Sequence, residues 1–128
     1  MRGKEMSEQT DRFDCAQGER FDMEEALKNM DGDRELFQKL VELFLEESSF
    51  HMQAIREGIE REDAGAVRKA AHAIKGTAGN FAAKRTFELA GQLEVLGREG
   101  RVGEFAKAFE ALRQELDLLG QALLHVAG

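Results

Sequence analysis

The chain has no proline, no tryptophan and no tyrosine, and only one cysteine, Cys15. Each absence excludes something. Without proline, nothing interrupts a backbone hydrogen-bond ladder, so long helices are permitted throughout. A single cysteine excludes an internal disulfide framework and a thiolate zinc cluster, and a reduced cytoplasmic setting is the expectation. Residues 1–20 contain no apolar segment of the kind a signal peptide needs, and no apolar run reaches the length of a membrane span. The net charge of −7 argues against nucleic acid as a partner, because phosphate binding rests on a basic surface. What remains is 128 residues, 42% hydrophobic and 34% charged, the balance of one globular domain.

Periodicity divides the chain. Residues 1–20 show none and read as a flexible tail or linker, with the domain spanning 21–128. Asp22 is placed to cap a short helix, with Glu25 three residues on in a capping-box arrangement. "DGD" at 31–33 makes a turn, and Asp33 caps a long helix over about 34–61, whose stripe includes Phe37, Leu40, Val41, Phe44, Met52, Ile55 and Ile59. Asp63 caps a third helix carrying Val67, Ala71, Ile74 and Ala78, with a break near 79–82. A fourth helix carries Phe87, Ala90, Leu93 and Leu96 and ends at "GREG". The last helix has the clearest seam: Val102, Phe105, Phe109, Leu112, Leu116, Leu119, Leu123 and Val126, at alternating spacings of three and four. No segment alternates at period two. The expected fold is all-α, an up-and-down antiparallel four-helix bundle with a short additional N-terminal helix.

Within the third helix, "AAHAIKGTAGNFAA" places Gly76 and Gly79 after His72, although each glycine costs a helix interior about 1 kcal/mol relative to alanine. His72 lies one residue, or about 100°, beyond Ala71, at the edge of the buried stripe or just outside it. Arg68, Lys69, Lys75 and Gly76 share its side at spacings of three and four. Helical side chains lean towards the N-terminus, so a bulky residue at 76 would cover the imidazole and glycine uncovers it. Residues 64–87 carry five cations and no carboxylate, which leaves the rest of the chain at −12. An open histidine in a local basic field suits a transient anion. Metal ligation lacks a second His or Cys at helical spacing. General-base chemistry lacks a local orienting carboxylate, unless another helix supplies one. Phosphoryl acceptance needs only a neutral ring nitrogen, a nearby cation and room for a donor. A lone helical histidine beside lysines is ordinarily a solvated surface residue, so spacing by itself does not decide. His51 reads as a partly buried structural residue, His125 as a helix-end residue, and Cys15 has no assigned role.

"AHAIKGTAGNFAA" resembles the signature of histidine-containing phosphotransfer (HPt) domains, roughly A-H-x-L-K-G-[SA]-[SA]-x-x-[LIF]-G-A. The matching residues are Ala71, His72, Ile74, Lys75, Gly76, Thr77, Ala78, Phe81 and Ala83. Upstream, Phe21, Asp22, Ala26, Leu27, Gly32, Asp33, Leu36 and Phe44 resemble the opening of the family, and "ELAGQLE" at 88–94 resembles its fourth helix. The resemblance spans about residues 21–125. One departure is Ala82, where the family usually has glycine.

The resemblance implies a carrier in a multistep His–Asp phosphorelay. His72 would accept a phosphoryl group from a receiver-domain aspartate and pass it to another receiver. Lys75 would hold the phosphoryl oxygens, and Gly76, Arg68, Lys69 and Gly79 would lie under the docked partner. The implied partners are response-regulator receiver domains and a hybrid sensor histidine kinase. The chain would need no cofactor of its own, Mg²⁺ belonging to the receiver. It has no ATP-binding glycine loop, so it is read as a phosphotransfer intermediate, not an enzyme, and a monomer is the simplest expectation. The alternatives are an HPt-like bundle that only docks a partner, and a bundle enzyme or metalloprotein, which would need inward carboxylate and histidine pairs such as Glu-x-x-His that the sequence lacks.

Overall fold

The computed structural model describes residues 20–127. Among the described residues five helices run α1 (Met23–Asn29), α2 (Arg34–Glu60), α3 (Ala64–Asn80), α4 (Lys84–Glu99) and α5 (Phe105–Ala127), with a 3₁₀ turn over Val102–Glu104 before α5. Among the described residues there is no strand, and no helix is long and apolar enough to cross a membrane. The long helices α2 to α5 pack each against the next, and α5 returns to α2, closing an antiparallel four-helix bundle with α1 at one end. The expected tail lies outside the described residues except for Arg20, whose guanidinium reaches Glu115 on α5 at 3.6 Å. Cys15 also lies outside them.

The caps form largely as expected. Asp22, Asp33 and Asp63 each accept a bond from the backbone N–H three residues on, at 3.0–3.1 Å. The reciprocal half of the box at Asp22 and Glu25 is not made, because the Asp22 N–H donates instead to the Ala82 carbonyl. That bond, with Asn29 Nδ2 donating to the Asn80 carbonyl, seats α1 on the turn between α3 and α4. Phe37 and Phe44 of α2 pack on Phe81 with ring centroids 5.8 and 5.3 Å apart, and Phe21 stacks on Phe37. The aromatic cluster fixes where α3 ends.

That end explains the departure at Ala82. The Ala83 N–H bonds to the Ala78 carbonyl and the Ala82 N–H to Gly79, the two bonds of a Schellman turn. The turn requires Ala82 at φ 54°, in the left-handed region where a Cβ is strained. Alanine therefore keeps the turn at an energetic cost. Ala82→Gly is expected to stabilise the fold by roughly 0.5–1 kcal/mol, the relieved strain exceeding the added unfolded-state entropy. A higher urea midpoint at unchanged slope would bear this out.

Two apolar clusters fill the bundle. One joins α1 to Phe37, Val41, Phe44, Phe81, Leu119 and Leu123, and the other gathers Ile55, Val67, Ile74, Leu93, Phe105 and Leu112. Buried Ser48, Thr86 and Glu115 fall in sequence between the two sets. Glu115 Oε2 has no hydrogen-bond partner among the described residues, and burial pushes its carboxyl above the usual range, against the pull of Arg20 and Arg85. A raised carboxyl favours folding in its protonated form, so its contribution is present below the unfolded value of 4.5 and is lost as pH rises through the folded value. Glu115→Met is thus expected to stabilise by about 1 kcal/mol at pH 7 and by less at pH 4, read from denaturant midpoints at both.

Three expected core positions differ. Phe87 is 42% exposed, because Thr86 takes the buried position on α4 and Phe87 is rotated off the stripe formed by Leu89, Ala90, Leu93 and Gly97. Val126 is exposed in the final turn of α5, and half-buried Val102 belongs to the 3₁₀ turn rather than to the helical seam. Phe44 is core.

Candidate functional site

The site lies on the antiparallel seam between α3 and α4. At one end, a Cβ on Gly97 would come within 2.9 Å of the Arg68 backbone nitrogen, so only glycine lets the helices approach this closely. Further along, His72 meets Glu94, the Lys75 stem passes Gly91, and the ring of Phe87 lies 3.7 Å from where a Gly79 Cβ would stand. His72, Lys75, Gly76 and Gly79 therefore share one side of α3 as their spacing predicts, and α4 supplies the opposing groups.

His72 is 65% exposed at the side chain, and its Nδ1 lies 2.8 Å from Glu94 Oε2. A carboxylate can only accept, which assigns the proton of the neutral ring to Nδ1 and leaves Nε2 with a lone pair. Glu94 is only 10% exposed; its Oε1 lies 2.7 Å from Lys75 Nζ, an ion pair set off the ideal hydrogen-bond line. The Lys75 ammonium holds the Glu94 carboxyl below the usual range, opposed by burial and helped next by His72. Glu94 thus remains an anion, and therefore an acceptor, wherever the imidazole is neutral.

Among the described residues a Cβ on Gly76 would meet nothing within 4 Å, so the glycine borders open space beside the histidine. Arg68, Lys69 and Gly79 are exposed around it. Lys75 is not a solvated cation: its side chain is 28% exposed and its ammonium sits 5.6 Å from the Phe87 ring centroid. The basic field expected from residues 64–87 is consequently partly cancelled by Glu94 from outside that window. Among the described residues no group of three His, Cys, Asp or Glu side chains could hold a metal ion. His51 is half-buried with its ring steeply inclined to that of Phe50, centroids 5.6 Å apart, and His125 is exposed.

Glu94 is the site residue that sequence reasoning passed over, although it closes the segment "ELAGQLE". Its signal is a charged residue one position after Leu93 on the buried stripe of α4. A carboxylate placed there requires a partner, and an antiparallel neighbour offers His72 and Lys75.

An all-helical bundle that presents an exposed imidazole backed by a buried carboxylate and bordered by glycine is the class of structure these residues define. Comparison with known proteins makes this particular. The family model of the Hpt domain matches residues 39–122, about two thirds of the chain, and the protein belongs to that family. Among solved structures, histidine-containing phosphotransfer protein B from Pseudomonas aeruginosa PAO1 has a similar fold, with a TM-score of 0.79 at 18% identity, covering 84% of this chain and 94% of that one. No curated protein sequence matches.

Proposed function

We propose that the protein is a phosphocarrier of a His–Asp relay, taking a phosphoryl group from a receiver-domain aspartate onto Nε2 of His72 and delivering it to a second receiver. The observation that carries this reading is the Nδ1–Glu94 bond on a ring left open beside Gly76. In the forward step the Nε2 lone pair forms the N–P bond while the P–O bond to the aspartyl carboxylate breaks, its electron pair leaving with the carboxylate. The ring keeps its Nδ1 proton, and the positive charge it gains faces Glu94. Phosphoryl transfer is chiefly positioning and charge stabilisation, so little more is required of the carrier. Lys75 is one helical turn away for the phosphoryl oxygens. Mg²⁺ would come with the receiver, and the phosphoryl donor makes an ATP site unnecessary. A monomer working in the cytoplasm suits this role.

Docking would use Arg68, Lys69, Gly76 and Gly79 with the neighbouring face of α2. Leu36, Leu43 and Phe50 recur there every seven residues, all exposed, Phe50 at 70%. The antiparallel register set where Gly58 abuts Val67 brings Phe50 to about the level of Lys75, one helical turn from His72. Phe50→Ser is expected to weaken receiver binding by about 10-fold while leaving thermal stability unchanged, measured by calorimetry and melting.

The test of the reading is incubation with a panel of phosphorylated receiver domains, followed by intact mass before and after acid. An acid-labile phosphoryl adduct supports the carrier. Binding without any adduct overturns it in favour of a docking-only bundle.

A further inference from the structure

Lys75 is held on three sides. Glu94 Oε1 is 2.7 Å from its ammonium, the Phe87 ring centroid is 5.6 Å away, and its Cδ would lie 3.4 Å from a Cβ on Gly91. Neither Phe87 nor Gly91 is explained by the core. Phe87 is a large apolar side chain left 42% exposed, and Gly91 carries the propensity cost of glycine in the middle of a helix. Both make sense as the walls of a seat. The ring offers a cation its negative face, and the backbone at Gly91 runs beside the methylene stem, where a Cβ would just touch it and a longer side chain would displace it.

We infer that Phe87 and Gly91 are positioning residues that hold Lys75 on Glu94 in the resting protein, so that Lys75 reaches a phosphoryl group on His72 by exchanging one anion for another. The exchange is balanced in charge. A ring phosphorylated at Nε2 and still protonated at Nδ1 becomes cationic, and Glu94 accepts that charge through the bond it already makes. Lys75 is then released to the phosphoryl oxygens. The depth of the seat sets how much of the lysine's attraction for the phosphoryl group survives. This consequence rests on the phosphocarrier reading, whereas the seat itself does not.

The charged groups facing Glu94 are His72 and Lys75, so the Glu94 carboxyl reports on where the lysine is. The experiment is a ¹³C NMR titration of the Glu94 side chain in the unphosphorylated protein. It compares wild type with Phe87→Leu, which keeps apolar bulk but loses the ring face, and with Gly91→Leu, which fills the stem's channel. Both variants are expected to raise the Glu94 midpoint, Phe87→Leu by about a two- to fivefold change in proton affinity. Lys75→Gln should raise it further, and adding Phe87→Leu to Lys75→Gln should then change nothing. An unchanged midpoint in both single variants overturns the inference, as does an equal Phe87→Leu shift in the Lys75→Gln background. In a phosphotransfer assay Phe87→Leu should move the equilibrium about two- to fivefold towards phosphohistidine. Shifted titrations with no phosphorylation in any variant would uphold the seat and refute the carrier.

Discussion

His72→Gln is expected to accept no phosphoryl group from any receiver, with the acid-labile adduct falling below detection in intact mass. An amide has no nitrogen lone pair comparable in nucleophilicity to imidazole Nε2, so the loss is of the reacting atom itself and not of a supporting interaction. The side chain is 65% exposed, which makes the substitution nearly silent for stability. Its amide can still donate towards Glu94, so the acidic partner is not abandoned. Helical circular dichroism and melting should therefore match wild type while transfer disappears. Two other histidines in the chain make the control informative. An adduct that survives in His72→Gln would move the site to half-buried His51 or exposed His125, and the assignment to His72 would fall.

Replacing Glu94 should have the second largest effect. Glu94→Leu removes the acceptor that keeps the proton on Nδ1 and the charge that, in the proposed reaction, would face a phosphorylated ring. The expected outcome is a roughly 10- to 100-fold slower phosphorylation, at or below the lower edge of what a proton-transferring group contributes, since Glu94 orients and stabilises without removing a proton. Glu94→Gln keeps a neutral acceptor and should lose less. Stopped-flow transfer from one phosphorylated receiver would read both rates, and a wild-type rate in Glu94→Leu would sink the orienting role. The same carboxylate leaves a mark on stability. Its folded value is lowered below 4.5, so its contribution is fully present above that pH and is lost as pH falls through the lower folded value. Acid unfolding of the wild type should show this loss, and Glu94→Gln should not. Glu115 titrates with the opposite sign, so the two variants separate in a pH series.

Much of the molecule is legible locally. Helix starts at Asp22, Asp33 and Asp63 follow from a side-chain oxygen next to orphan backbone donors, and the α5 seam from Phe105 to Leu123 follows from its spacing. His72, Lys75 and Gly76 share one side of α3 for the same reason: neighbours on a helix are set by 3.6 residues per turn, whatever packs against it. The local geometry of the candidate site, a histidine with a nearby cation and open space beside it, was therefore contained in a dozen consecutive residues.

Position across helices is another matter, because rotation and register are decided by side chains far apart in the sequence. Glu94 meets His72 only because Gly97 lets α4 approach Arg68 closely and the antiparallel run then carries the carboxylate to the imidazole. Phe87 falls off the buried stripe because Thr86 occupies it, which turns an expected core residue into a wall beside Lys75. The charge pattern changed in the same way: five cations without a carboxylate read as a basic field, until a neighbouring helix placed an anion against one of them. Local periodicity determined which residues each helix presents, and the packing of one helix on the next determined what those residues face.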